Sequence, residues 1–274
     1  CRAAAQALWG EGALLAYVGV WGASGLAEAL KEESAELPKP LVRTGSAVAP
    51  RVACFTPKLH GVEAPEPPPA DAGVLLVPTH GVTAEERTRW SGPHGAWLCD
   101  VVSLFRVRLQ VTEACVARVS MGGKSAGYRG RFPSVAEEVM LALRLGRPVY
   151  LAGGFGGAAG DVGRVLALGR PWTGSDLPSF RPYAEPARQA LVDAHRELFR
   201  PPPWHDLPAT LPELVGFLAD HALGGPRWPD NGLTADENRE LFVSEDPARV
   251  AKLVRTGLRR RFLDRWGMLV LEEE

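Results

Sequence analysis

Short apolar runs alternate with longer amphipathic stretches through the first two thirds of the chain. The apolar runs have the length of buried strands and are bounded by glycine, proline or charged residues. The strands predicted in this way are Gly12–Gly19, Arg51–Phe55, Gly73–Val77, Val116–Met121 and Pro148–Ala152. Between them, apolar residues recur at helical spacing. The helices predicted there are Leu26–Glu33, Trp97–Glu113, Ser134–Leu145 and Ala158–Leu168.

Strands that alternate with helices predict an α/β fold with a parallel sheet flanked by helices. After Pro171 the pattern becomes helical only, which predicts a helical C-terminal layer, and the short linkers favour its packing on the same domain. The helices predicted there are Ala184–Phe199, Leu211–Ala222, Ala235–Leu241 and Pro247–Phe262. We therefore divide the chain into a tail (1–10), an α/β core (11–172) and a C-terminal helical part (173–274).

Composition narrows the possible functions. The formal net charge is -1, from 31 Lys and Arg against 32 Asp and Glu, so nucleic acid is not expected as the main partner. No apolar run reaches transmembrane length, so no membrane partner is expected. The chain starts with Cys1 and lacks a signal peptide, which leaves a processed chain or a piece of a larger protein as its expected origin.

The cysteines and histidines do not form the spacings of metal sites. The four cysteines lie far apart without a C-x-x-C pair, which argues against zinc and a disulfide scaffold and favours a cytoplasmic location. They are Cys1, Cys54, Cys99 and Cys115. The six histidines show no paired spacing either. We expect neither a metal nor a cofactor.

A first glycine-rich turn, Gly122–Arg131, leaves one predicted strand and leads into the helix that begins near Ser134. Glycine lets the backbone approach a ligand closely, and the free amides at a helix start favour an anion such as phosphate. The candidates for phosphate contact are Gly122, Gly123, Lys124, Arg129, Arg131 and Ser134. Alternatively, Ser134 and Glu137 form a capping box that orders the helix start without any ligand.

Two adjacent carboxylates, Glu137 and Glu138, fall in the first turn of that helix. One interpretation is that they hydrogen-bond ribose hydroxyls. A second is that, in an enzyme, one of them stabilises a sugar cation during N-glycosidic cleavage. A third is that one is simply favoured there by the helix dipole.

A second glycine-rich turn, Gly153–Asp161, contains G-x-G-x-x-A between a predicted strand and a predicted helix. It matches the dinucleotide fingerprint only superficially, because it comes late in the chain and lacks the acidic residue of the next strand. A nucleotide-like group smaller than a nicotinamide cofactor is therefore favoured. The candidate contacts in this turn are Gly154, Phe155, Gly156 and Gly157.

A third turn, Gly19–Ser24, follows the first predicted strand and belongs to the same crevice, because the carboxyl ends of parallel strands share one edge of a sheet. Gly19 and Gly22 are its candidate ligand contacts, and Trp21 either stacks on a base or covers the core. The last predicted helix is rich in arginine. Because the formal net charge of the whole chain is close to zero, we interpret these arginines as a solvated face or a protein contact.

The central segment resembles the SLOG superfamily, the Rossmann-like group that includes LOG nucleotide hydrolases and TRPM-type sensor domains. The resemblance rests on GG, GYRGRFPS, EE and GRPVYLAGGFGGA within residues 122–158. Weaker similarity extends toward both ends of the chain, as far as residues 15–19 on one side and 238–258 on the other. It is closest to the prokaryotic branch joined to TIR or Sir2 domains, which usually has glycine where this chain has Ser134. The resemblance implies a Rossmann-like fold.

The resemblance also implies a function. Members of antiphage defence systems bind cyclic ADP-ribose isomers made by TIR enzymes, and binding drives assembly of an attached effector. We therefore expect a nucleotide-sensing module that is a homo-oligomer and is fused to or paired with a TIR-type or other effector. The alternatives are a LOG-like nucleotide N-glycosidase using Glu137, Glu138 and Arg131, and a degenerate scaffold that only mediates oligomerisation.

Overall fold

The computed structural model describes residues 5–6, 9, 14–18, 43–44, 47–48, 52–59, 74–169, 189–194 and 206–263. Its strands are β1 (Leu15–Val18), β2 (Arg43–Thr44), β3 (Ala47–Val48), β4 (Val52–Phe55), β5 (Val74–Val77), β6 (Arg118–Met121) and β7 (Val149–Ala152). Its helices are α1 (Ala84–Arg89), α2 (Gly95–Ala114), α3 (Ser134–Arg144), α4 (Gly157–Leu168), α5 (Leu211–Asp220), α6 (Ala235–Val243) and α7 (Pro247–Leu258). A 3-10 turn, Gly153–Phe155, precedes α4, a π-helical turn, Arg259–Leu263, follows α7, and residues 189–194 are helical.

The longer strands pair in parallel, as alternating strands and helices predict. β4 lies between β1 and β5, with Val52 opposite both Leu15 and Val74. β6 pairs with β7, so that Met121 lies opposite Ala152 at their carboxyl ends. β2 and β3 form a short antiparallel hairpin. Parallel strands flanked by helices confirm the predicted α/β class and are compatible with its Rossmann-like form.

Both faces of β7 are buried, which is why its sequence is apolar at every position. Val149 and Leu151 face a large core formed with α3, α4 and α5. Tyr150 and Ala152 face a second core formed with α6 and α7. The strand therefore lies between two helical layers, and one of these layers consists only of the C-terminal helices α6 and α7.

A buried polar network fixes the C-terminal layer to β7. The Asn231 side-chain amide donates to the Val149 carbonyl and to Asn238 Oδ1, each at 2.8 Å. The Tyr150 hydroxyl donates to the Asn231 carbonyl at 2.6 Å. Gly257 of α7 packs so closely that a Cβ there would lie 2.5 Å from Tyr150 Cε1. These contacts set the position of α6 and α7 against the sheet.

Some predicted elements differ from the observed ones. The pattern did not predict α1, because none of its residues is buried and no apolar periodicity marks it. The last predicted helix changes to π-helical geometry after Leu258. The predicted helix Leu26–Glu33 and most of Ala184–Phe199 lie outside the described residues. The domain boundaries stay a prediction. Within the described ranges, no helix has the length and hydropathy needed to cross a bilayer.

Candidate functional site

Two glycine-rich loops lie side by side at the carboxyl ends of β6 and β7. Gly122 and Gly123 follow β6 with φ of 58° and 89°, and Gly156 and Gly157 lead into α4 with φ of 71° and 60°. These values fall in the left-handed region that glycine adopts without strain. Each loop therefore requires its glycines for backbone geometry.

The two loops are hydrogen-bonded to each other. The amide of Ala158 donates to the Gly123 carbonyl at 3.1 Å, and the amide of Ala159 donates to the Gly122 carbonyl at 2.8 Å. A Cβ on Gly157 would collide with the Gly123 carbonyl oxygen. The loops thus form one unit, and two of the first amides of α4 are occupied by protein acceptors.

The start of α3 lies against the same unit. A Cβ on Gly123 would be 2.6 Å from Cγ2 of Val135, in the first turn of α3. No side chain caps this helix, and Ser134, its first residue, is exposed. The amides of a first helical turn have no acceptor within the helix and carry the positive end of its dipole. Of the two helix starts, α3 therefore has more amides to offer an anion.

The predicted capping box at Ser134 and Glu137 is wrong. Pro133 is the N-cap residue, and neither side chain bonds to the helix amides. Instead the Ser134 hydroxyl accepts a hydrogen bond from Nη2 of Arg108 at 2.8 Å, and Glu137 also binds Arg108. Arginine is a stronger partner for a buried carboxylate than a neutral amide, so the buried guanidinium displaces the local cap.

Beneath the loops runs an alternating chain of cations and anions, in the order Arg131, Glu137, Arg108, Glu138, Arg118. Arg131 Nε donates to Glu137 Oε1 at 3.1 Å, and Arg108 Nη1 donates to Glu137 Oε2. Arg108 Nε lies 3.9 Å from Glu138 Oε1, and Arg118 Nη1 lies 3.2 Å from Glu138 Oε2. We call these five residues the arginine–glutamate chain, and it begins and ends with a cation.

The inner half of the arginine–glutamate chain is closed to solvent. The side chain of Glu137 is 0% exposed and that of Arg131 is 2% exposed. The Arg131 guanidinium also lies 5.2 Å from the ring centre of Phe105 and 4.7 Å from that of Phe132, which is a cation–π arrangement. Burial lowers the pKa of Arg131, and the charge of Glu137 opposes this effect.

Glycine at position 130 is explained by Arg108. A Cβ on Gly130 would be 2.6 Å from Nη1 of Arg108, so a larger residue there would displace this guanidinium. The Gly130-Arg131 pair in the sequence therefore belongs to the buried cluster and not only to the loop surface.

The structure separates the predicted site residues into groups. Gly123, Lys124, Ser134, Phe155 and Gly157 are exposed around the loops, and Gly122 and Gly156 are partly exposed between them. Arg131 and Glu137 are buried below the loops, and Glu138 is 14% exposed.

Gly154 packs against the backbone of Val243 and Ser244 at the end of α6. Gly19 and Gly22 lie outside the described residues. Direct ligand contact by any of these residues stays a prediction.

Sequence reasoning missed the two arginines that complete the arginine–glutamate chain. Arg108 lies on α2 among the positions of its apolar stripe, and Arg118 lies within β6. The neighbouring Arg106 forms a different pair, with both guanidinium nitrogens on Glu86 at 2.8 and 2.6 Å. A charged residue inside an apolar stripe was the available signal for Arg108.

The described residues contain no group of three or more side chains suited to a metal ion. Among the described residues, Cys54, Cys99 and Cys115 form no disulfide, and burial raises the pKa of Cys99 and Cys115.

Comparison with known proteins gives a family. A family model described as SLOG cluster2 matches residues 83–241, a span that includes both glycine loops, α3 and the whole arginine–glutamate chain. No curated protein and no solved structure matches the chain.

Proposed function

The chain belongs to the SLOG superfamily, since the matching family model spans more than half of it, and we propose that it binds a nucleotide-derived ligand. The ligand lies in the crevice formed by the Gly122–Gly123 loop, the Gly156–Gly157 loop and the first turn of α3. One observation carries this proposal: two glycine loops at adjacent strand ends bond to each other beside an uncapped helix start. Crevices at the carboxyl ends of parallel strands are the usual ligand sites of such folds.

Phosphate is held at the start of α3. The first turn of this helix contacts Gly123 through Val135, and Ser134 and Lys124 beside it are exposed residues. Since Gly122 and Gly123 have no side chains, phosphate oxygens come close to the backbone there. Arg108 supports this surface from below, because it donates to Ser134 Oγ.

Phe155 provides the contact for a base. This residue is 41% exposed, unlike the buried aromatic residues of the core, and it lies in the turn that carries Gly156. An exposed ring beside a glycine loop is suited to stacking on a planar base. The proposed ligand therefore spans from the start of α3 to Phe155.

Binding without turnover is favoured over N-glycosidic cleavage. Both carboxylate oxygens of Glu137 accept hydrogen bonds from arginines, and its side chain is wholly buried. A carboxylate held in this way is not available to a developing ribosyl cation. Glu138 is more accessible, but each of its oxygens faces a guanidinium. We assign both residues to support of the crevice.

The finer assignment follows the branch of the superfamily that the central motif resembles. We propose that the ligand is ADP-ribose or a cyclic isomer of it, and that binding regulates assembly of this chain and of an attached or paired effector in antiphage defence. Binding shifts such an equilibrium only if the assembled and dissociated states differ in affinity.

Thermal unfolding against a nucleotide panel tests the proposal. The panel is ADP-ribose, its cyclic isomers, NAD, AMP and cyclic oligonucleotides, and each mixture is examined for turnover by chromatography. We expect at least one member to raise the Tm without being consumed, because a ligand that binds only the folded state stabilises it. Lys124→Ala and Phe155→Ala should reduce that shift while leaving the Tm of the free protein nearly unchanged, because both residues are exposed.

The matched control is Lys252→Ala, which removes an exposed lysine from α7. It should keep the full shift. Absence of any shift across the panel would contradict the proposal and favour a scaffold role. Release of free base that Glu138→Gln abolishes would favour the N-glycosidase instead.

A further inference from the structure

The arginine–glutamate chain ends at Arg118, on the face of β6 that is turned toward α3. Val119 and Met121 pack on the opposite face, against the core that contains Tyr150. Arg118 and Ser120 alternate with them and so face α3, in agreement with the 3.2 Å contact between Arg118 and Glu138. Ser120 is two residues before Gly122, with which the first glycine loop begins.

Three buried donors at this end of the chain have no hydrogen-bond partner. They are Nη2 of Arg118, Nε of Arg108 and the hydroxyl of Ser120. Ser120 is 4% exposed. Buried polar groups are nearly always satisfied, because an unmade hydrogen bond costs free energy when the group is removed from water. Two of the three atoms belong to arginines that pair with Glu138, and the third lies on the same face of β6 as Arg118.

The acceptors of the cluster are already in use. Both oxygens of Glu137 bind guanidinium groups, and the oxygens of Glu138 lie between Arg108 and Arg118. The cluster therefore leaves the three donors without an acceptor. Because the arginine–glutamate chain has a cation at each end, it also favours the binding of a negative charge. A tetrahedral oxyanion supplies several acceptor oxygens and that charge together.

We propose that Arg118, Ser120 and Nε of Arg108 form a binding site for an oxyanion of the phosphate class, below the Gly122–Gly123 loop. The side chains of Arg118 and Glu138 are each 14% exposed, so this end of the chain reaches the surface while Glu137 does not. The oxyanion is either free phosphate or a phosphate group of a larger molecule. The site does not depend on base or ribose contacts and stands even if the crevice binds no nucleotide.

Thermal unfolding in a phosphate-free buffer tests this site, with inorganic phosphate, AMP and adenosine added separately at matched ionic strength. Wild-type protein should gain on the order of 5 °C in Tm at about a hundredfold excess of phosphate over its Kd. Arg118→Met and Ser120→Ala should lose most of that gain. Without phosphate, Ser120→Ala should equal or exceed the wild-type Tm, because the substitution removes an unsatisfied buried hydroxyl.

The control variant is Arg227→Met, which removes an arginine that is 63% exposed and paired with Asp220. It should keep the phosphate response. A gain with AMP but not with phosphate assigns the oxyanion to a larger ligand and supports the site, provided that adenosine has no effect and Ser120→Ala abolishes the gain. No gain with either, or equal gains in wild type and Ser120→Ala, would overturn the proposal. If Arg118→Met does not fold, Ser120→Ala decides the result.

Discussion

At the scale of the residue, Glu137 shows how far a charge pattern in a sequence can be interpreted. Its position in a first helical turn suggested a cap or a ligand contact, whereas its carboxylate accepts from Arg108 and Arg131 at zero exposure. The partners are 29 residues upstream and 6 residues upstream. Pairing over such distances cannot be deduced from local spacing, which is why the sequence did not predict the role of Glu137.

Glu137→Gln should destabilise the protein strongly. The substitution removes the carboxylate between two guanidinium groups and leaves both cations buried, and breaking a buried pair in this way costs about 3–5 kcal/mol. Urea unfolding measures the change in free energy of unfolding. Asp220→Asn is the matched control, because its ion pair with Arg227 is 65% and 63% exposed and should cost no more than about 1 kcal/mol. Equal losses in the two variants would contradict the buried arginine–glutamate chain.

His221 predicts a dependence of stability on pH. Its ring packs 4.2 Å from the ring of Phe217, Nδ1 donates to the Phe217 carbonyl at 2.8 Å, and burial lowers its pKa below the usual 6.5. The unfolded chain therefore binds a proton at a higher pH than the folded protein does. The contribution of His221 to the stability of the folded protein is therefore fully present above about pH 6.5. It is lost as the pH falls from there through the pKa of His221 in the folded protein.

In wild type, the free energy of unfolding should decrease as the pH is lowered from 7.5 to 5. In His221→Gln it should decrease less over the same range. Aspartate and glutamate side chains that titrate in the same window contribute equally to both proteins, so the difference isolates His221. Parallel curves for the two proteins would show that His221 is not buried as described.

At the scale of the element, threonine marks the real capping boxes. Thr83, Thr210 and Thr234 each accept from the backbone amide three residues on, and the glutamate at that position bonds back to the threonine amide. The T-x-x-E spacing was present in the sequence at all three helix starts. Ser134 and Glu137 have the same spacing but different partners, because two buried arginines compete for them.

Thr210→Ala should therefore cost about 1 kcal/mol of stability, because it leaves the first turn of α5 without its cap.

Ser134→Ala tests the contrast, since Ser134 caps no helix. Removing the Ser134 hydroxyl eliminates one hydrogen bond from Arg108 at the surface of the crevice. The substitution should therefore lower ligand affinity more than it lowers the Tm. Urea unfolding of both variants, with ligand titration of Ser134→Ala, checks the pair. A larger loss of stability in Ser134→Ala than in Thr210→Ala would contradict these assignments.

At the scale of the whole molecule, periodicity predicted the α/β class, and most helices and strands of the described core lie within a few residues of their predicted bounds. The apolar run at Pro148–Ala152 predicted a strand, but not which helices cover its two faces. Tyr150 lies in the C-terminal core because its hydroxyl reaches Asn231, 81 residues later. Strand order and such long-range contacts depend on the complete chain and have no local signal.

The candidate site was predictable in part for the same reason. Glycine density marked both loops, since positive φ values require glycine at Gly122, Gly123, Gly156 and Gly157. The hydrogen bonds between the loops and the ion pairs below them join segments that the sequence presents separately. The sequence therefore indicated the two loops of the candidate site but not the residues that support them.

Hydrogen exchange of the backbone amides, with and without ADP-ribose, tests most directly whether the crevice between the two glycine loops binds a nucleotide. We predict slower exchange in residues 122–136 and 153–159, because the ligand occupies the loops and the start of α3, and little change in α7. Unchanged exchange in both loops, or protection confined to the basic residues of α7, would contradict the account.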